Sequence, residues 1–432
     1  MCISSSLLSK RNGLRILWEI AIYSIILPDN YSTIILMAIP AIMEIARTKR
    51  LKNLKSVRIS VALSVLLSVA ILTTLIHFVP FINVIVSLVF LSSAIFAVMM
   101  IRKGSFFNSL VHCEHAFDRV IRIEIIATIV NILMLLVGKK YGDDWSTGTF
   151  GIGQQSQIFL LFAMYLIVMI AYYKVTKRKK YLAYGICAVL CLLSTRCWAQ
   201  LGLYVVFVFI GYVTTVDRRI VKRILISIFL GIVLIASVGK TIYRSSIGQQ
   251  VVRIIYEQDY RSYRAGKVTA YVNTFITIPR KDIFYFLFGN GIGWYASRGA
   301  LTCSGAYVSV YNSYFHESMS AYTKEYIYPG LLRAYNNGSS DYGSIVARPY
   351  STIISIMGEV GMVGLVTFFC IFIKISKKYG RYARLVLMAW LSSCFAENYL
   401  EYSKIIIVLL FCLCLVNMLA DNNSSEGCLN SV

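Results

Sequence analysis

The sequence predicts an all-α polytopic membrane protein with about 12 transmembrane helices and one large periplasmic loop containing short helices, at about residues 241–348. Three observations carry that reading. Apolar residues make up 58% of the 432 and charged residues only 15%, with a mean hydropathy of +0.68, and a soluble chain of this length needs more polar surface to cover its core. The apolar residues fall in continuous runs such as Ile59–Val79 and Phe81–Ile101. Lipid requires every backbone polar group to be paired internally, which makes such runs helices. A transmembrane β-barrel would instead alternate apolar and polar residues over segments of roughly ten. Finally, short basic clusters separate the runs on alternate sides, the positive-inside pattern.

Taken in order, the runs predict spans at about 14–29, 31–46, 59–79, 81–101, 120–138, 157–173, 181–195, 198–215, 224–240, 349–373, 385–398 and 403–420. The first follows Lys10, Arg11 and Arg15 and has no small-residue cleavage site, so it is expected to stay in place. Every even-numbered exit is basic: Arg47 to Arg58 after the second span, Arg102 and Lys103 after the fourth, Lys174 to Lys180 after the sixth, Arg218 to Arg223 after the eighth, and Lys374 to Arg384 after the tenth. The parity puts both termini in the cytoplasm and the long loop outside, since long loops translocate regardless of charge. The expected organisation is therefore nine spans in 1–240, the outer loop 241–348, three spans in 349–420 and a polar tail, 421–432. The same distribution explains the net charge of +23 without a nucleic-acid partner.

Cysteines number 11; most sit inside predicted spans, where they read as small hydrophobes, and a single one, Cys303, falls clearly in the loop. His112 and His115 bracket Cys113 and Glu114 without enough ligands for zinc. No acidic cluster is evident in the outer loop, so the chemistry expected there is free of metal and cofactor.

Arg196, in Leu-Leu-Ser-Thr-Arg-Cys-Trp (192–198), sits between two apolar runs with almost no room for a loop. At the outer face its guanidinium can grip a lipid head group or a diphosphate bidentately, or it can snorkel and anchor the helix. The loop is cationic, and Arg261, Arg264 and Lys267 lie close together; on a helix, Arg264 shares a face with each of the other two, which suits an anion. The loop is also rich in tyrosine (Tyr256, Tyr260, Tyr263, Tyr271, Tyr285, Tyr295 and more), fit for stacking under sugars or for lying on the interface. Its cationic, aromatic character predicts a lid over the mouth of the bundle.

Phe-Gly-Asn-Gly-Ile-Gly (288–293) lacks the strand, helix and Lys-Ser/Thr of a phosphate loop and reads as a tight turn. Glu359 lies inside the tenth span, where a carboxylate needs a partner or a task. Gly358, Gly361 and Gly364 around it let another helix come close. His316 is the loop's one imidazole.

Four of these landmarks, in this order, resemble the O-antigen polymerase and ligase superfamily of bacterial inner membranes: Gly148-Thr-Phe-Gly151, Ser194-Thr-Arg196, Arg264 followed by Phe288-Gly-Asn-Gly-Ile-Gly293, and Glu359-Val-Gly361 followed by Gly364. The ligases' His-Asn, about nine residues ahead of that Glu, corresponds here to Tyr350 and Ser351, which favours a polymerase. The resemblance implies a glycosyltransferase that extends undecaprenyl-diphosphate-linked oligosaccharide on the outer face of the inner membrane. Its surroundings would be membrane lipid, a chain-length regulator and a flippase. Arg196 and Arg264 would stabilise the departing lipid diphosphate; His316 or Glu359 would take the acceptor's proton; Arg261, Lys267, Arg348 and Tyr350 would bind substrate. A ligase acting on lipid A-core and a transporter of lipid-linked sugars are the alternatives.

Overall fold

The computed structural model describes residues 2–27, 31–48, 57–103, 110, 112–137, 148–150, 154–214, 266–304, 318–329, 349 and 351–429. Among the described residues every regular element is a helix. Helices occur at eleven of the twelve predicted positions: α1 Cys2–Tyr23, α2 Tyr31–Thr48, α3 Val57–Ile76, α4 Phe81–Lys103, α5 Glu114–Leu136, α6 Gln155–Thr176, α7 Lys179–Ser194 and α8 Trp198–Val213, then, beyond the long loop, the three helices that close the chain. The predicted span 224–240 lies outside the described residues. Between come α9 Gly266–Val272, α10 Ile278–Lys281, α11 Ile283–Phe288 and α12 Arg298–Cys303, followed by α13 Thr352–Lys378, α14 Arg381–Cys394 and α15 Ser403–Leu429.

Among the described residues, three helices are long and apolar enough to cross a membrane: Phe81–Ile101, Gln155–Thr176 and Thr352–Lys378. Ser32–Ala46, Ser64–Ile76, Trp198–Val213 and Ser403–Leu419 are apolar but shorter. Burial differs sharply between the apolar helices. Helix α6 is apolar all round and is enclosed by neighbours, with Ile158 through Met164 buried without a break. It packs on α7, α14 and α15. Helix α3 shows the opposite balance and leaves Leu67, Ile71, Leu72 and Leu75 exposed on its outer side.

Local signals set the helix starts near the centre. Asp282, Ser297 and Ser351 each take the cap position, their side chains accepting from the backbone N–H of Tyr285 (3.0 Å), Ala300 (3.1 Å) and Ile354 (3.1 Å). Each leaves a turn N–H satisfied where no helical carbonyl precedes it.

The described part of the long loop does not form a lid. It runs into the bundle, α11 packing on α13 and α12 on α4. Tyr285, Tyr295, Ala296 and Leu301 have no exposed surface. Apolar, glycine-spaced sequence over 283–303 can approach other backbones closely, and burying it removes more apolar area from solvent than spreading it over the surface would.

Candidate functional site: a broken helix with two buried carboxylates

Helix α13 is interrupted at Gly361, whose backbone (φ 70°, ψ −166°) is open to glycine alone. The two carbonyls just ahead of the break, of Gly358 and Glu359, accept from the N–H groups of Asn290 (2.9 Å) and Gly291 (3.0 Å). The glycine-rich turn 288–293 is thus an inserted plug that supplies donors to a discontinuous helix, not a phosphate cradle. Gly289 adopts nearly the same backbone as Gly361, at φ 78° and ψ −166°. A Cβ at Gly289 would lie 2.4 Å from the Glu359 carbonyl carbon, and one at Gly361 would lie 2.4 Å from that of Leu287. The two segments cross in backbone contact, as the Gly-every-third-residue spacing leads one to expect of a close approach: at Gly361 the partner is the end of helix α11, and the turn that follows α11 reaches the residues just ahead of the break. From the other side, Asn83 on α4 donates to the Gly293 carbonyl (2.8 Å), and the Thr74 hydroxyl of α3 accepts from Ile292 N–H (3.2 Å).

The plug leads into a turn, 295–298, gripped by two carboxylates. Glu359, almost fully buried, accepts from the backbone N–H of Tyr295 (3.5 Å) and Ser297 (3.3 Å). Glu401, on the connection between α14 and α15 and equally buried, accepts from the N–H of Arg298. The Arg298 guanidinium is itself buried, 4.9 Å from the centre of the Phe90 ring and 4.7 Å from that of Tyr402. Ser355 and Asn398 both donate to the Ala296 carbonyl, at 3.0 and 3.2 Å. Burial and the neighbouring Glu359 charge push the Glu401 carboxyl up to about 8, against the downward pull of Arg298. Ser355, Glu359, Asn398 and Glu401 are polar groups lining a cavity of about 240 Å³ whose walls are otherwise mostly apolar, from Leu67 and Leu91 to Phe368 and Trp390.

Three further sets of contacts join segments distant in sequence near this centre. Next to Tyr402, the fully buried Lys404 donates to the Leu27 carbonyl and lies 4.7 Å from the Phe150 ring centre. Thr149, in the same Gly-Thr-Phe turn, donates through its backbone N–H to the buried Glu124 (3.0 Å). Gln200, in the first turn of α8, donates to Ser393 on α14 (2.8 Å) and to the Tyr399 hydroxyl (3.4 Å).

Of the predicted site residues, Glu359 sits in the middle of this centre. Arg196 is exposed on the Thr195–Cys197 connection between α7 and α8, in the left-handed region at φ 54°, and its carbonyl accepts from Trp198 N–H (2.8 Å). The Gln200 bonds bring that end of α7 and α8 to the end of α14, so Arg196 lies at the same end of the bundle as the two carboxylates. Lys267 is buried; its ammonium donates to the Ala396 carbonyl and faces the Glu397 carboxylate at 3.9 Å. It is spent on the turn after α14 rather than held out on an open cationic face. Arg261, Arg264, His316, Arg348 and Tyr350 lie outside the described residues.

The loop tyrosines that are described do not stack outward. Tyr285 packs against Tyr295 and Tyr322, and the Tyr295 hydroxyl bonds to that of Thr274 (2.8 Å). Tyr271 donates to the Phe395 carbonyl (2.9 Å). Tyr285 and Tyr295 form a buried core whose burial pushes both hydroxyls upward, Tyr295 to about 12.

No protein-family model matches the chain, and no similar curated protein was found. The site therefore rests on its geometry. Among the described residues, no group of three or more His, Cys, Asp or Glu side chains is placed to hold a metal ion. What the arrangement offers is a buried polar centre: one guanidinium beside two carboxyl groups at the edge of an apolar cavity, with a second guanidinium exposed at the same end. Sequence reasoning missed Arg298, Glu401, Glu124 and Lys404. Glu124 and Lys404 were the most legible of them, an acid and a cation within predicted spans; Arg298 lies in the predicted outer loop, where a cation draws no notice.

Proposed function

We propose that this chain is a polymerase of lipid-linked glycan, resembling the O-antigen polymerases, and that it works at the outer face of a bacterial inner membrane. A single observation carries the reading: the landmarks that resemble the family and lie among the described residues converge. The Gly148-Thr-Phe turn meets Lys404, two residues from Tyr402; Tyr402 and Glu401 flank Arg298; Arg298 adjoins the turn held by Glu359; and Arg196 stands at the same end. These segments lie far apart in the chain, and the bundle brings their polar groups to one end.

In this reading the sugar hydroxyl of one lipid-linked repeat unit attacks the anomeric carbon of the growing chain. The bond to the lipid diphosphate breaks, and the diphosphate leaves with the electron pair. An exposed guanidinium at Arg196, joined by the loop arginine Arg264, meets the departing charge. The apolar cavity beside the carboxyl groups suits a hydrocarbon chain rather than a sugar. Glu359, occupied by two backbone donors, holds the turn 295–298 in place. That leaves the proton acceptor to a group that meets the hydroxyl directly, for which His316 remains the candidate.

The test is the surface glycan of a strain whose only copy carries Arg196→Ala. The expected outcome is single repeat units in place of long chains at an unchanged protein level, and chains of normal length would refute it. Purified protein that lengthens lipid-linked repeat units in detergent would separate this reading from a transporter, which performs no chemistry. Free accumulated polymer in a deletion strain would point to a ligase.

A further inference from the structure

A second charged site lies away from this centre, between α1 and the first turns of α5. Arg15, Glu19 and Tyr23 from α1 face His115, Asp118, Arg119 and Arg122 from α5 across a void of about 440 Å³. The two helices are joined beside it by Cys113, whose thiol reaches the Arg15 carbonyl (3.7 Å). Three guanidinium groups meet two carboxylates there. Arg15 pairs with Glu19 at 2.8 Å, and Arg122 pairs with Asp118. Arg119 donates to the Tyr23 hydroxyl at 3.4 Å, and among the described residues no carboxylate is within ion-pair distance of it. The cleft therefore keeps an excess of positive charge, with planar donors carried on two rigid helices.

Its surroundings identify the anion. Directly beside the charged residues, α1 exposes Ile16 and Ile20, and α5 exposes Ile123 and Ile126. A soluble anion has no use for that rim. An amphiphile does: its phosphate enters the cleft while its chains run along the isoleucines. Arginine suits the head group because its fork matches two phosphate oxygens at once, and a phosphodiester carries one full negative charge at neutral pH. A zwitterionic lipid would bring an ammonium against three guanidiniums and lose the advantage.

We propose that the α1–α5 cleft binds the phosphate head group of an anionic phospholipid, at a site separate from the two-carboxylate centre and independent of the glycan reading. Arg119 is the principal contact, supported by Arg15 and Arg122. By the positive-inside parity this cleft belongs to the cytoplasmic end of α1 and α5, where an anionic leaflet presents such head groups.

The full-length protein in neutral detergent provides the test. Its thermal unfolding midpoint is followed while phosphatidylglycerol, phosphatidylcholine or inorganic phosphate is added. Phosphatidylglycerol is expected to raise the midpoint saturably, phosphatidylcholine and inorganic phosphate not at the same concentrations. Arg119→Gln should shift the half-saturating phosphatidylglycerol concentration upward roughly tenfold or more, the loss of one charge-assisted contact. Arg15→Gln is the second variant and should act in the same direction. Equal responses to the two lipids, an unchanged phosphatidylglycerol response in both variants, or an equal rise with inorganic phosphate would each overturn the proposal.

Discussion

Gly361→Ala is the most direct test of the broken helix. Alanine at φ 70° and ψ −166° costs about 1–3 kcal/mol in backbone strain. Its Cβ would also lie 2.4 Å from the Leu287 carbonyl carbon and oxygen and from the Phe288 nitrogen. These are backbone atoms pinned by the Asn290 and Gly291 hydrogen bonds, so they cannot swing away as a side-chain tip would. Overpacking of this kind costs about 1–3 kcal/mol more. The sum is about 2–6 kcal/mol, which should lower the unfolding midpoint of the purified protein in detergent by several degrees. Gly202→Ala is the control: it makes the same chemical change in helix α8, where nothing lies within 4 Å of the added methyl. There the helix should gain about 0.5–1 kcal/mol. The tryptophan fluorescence melts of the two variants should therefore move in opposite directions. A Gly361→Ala protein that melts with the wild type or above it would refute the plug geometry.

Two further predictions concern the charges of the same centre. Arg298→Ala keeps the backbone N–H that Glu401 accepts but removes the cation that pulls its carboxyl down, so the part of the pH profile of the unfolding midpoint that belongs to Glu401 should move to higher pH. Glu401 titrates higher in the folded chain, at about 8, than in the unfolded one, so its protonated form favours folding. The wild-type midpoint should therefore fall as pH rises from the ordinary carboxylate range through about 8, and Glu401→Gln should flatten that part of the profile. An unchanged slope in the variant would show that another group controls it.

Much of this architecture is legible in the amino-acid order. Continuous apolar runs marked helices at eleven positions that the structure describes as helical, because unbroken hydrophobic stretches of this length leave the backbone few other ways to pair. The Glu and the glycines of 356–364 marked a place where a second chain segment comes close, since only a missing Cβ permits backbone contact there. The glycines of 288–293 read as a turn, and they form one. What the order of residues does not contain is which segments meet. Nothing local to Arg298 separates a buried cation from one in a solvated loop; the difference lies in the rings of Phe90 and Tyr402, contributed from elsewhere in the chain, just as the partners of Lys404, the Phe150 ring and the Leu27 carbonyl, come from distant segments. For the same reason the tyrosines at 285 and 295 look like an outward stacking surface in sequence and are core in the structure. Helix-forming and membrane-seeking tendencies are properties of a few neighbouring residues. Burial, charge pairing and the meeting of a broken helix with its plug depend on contacts between residues far apart in the chain, and they exist only once the bundle has closed.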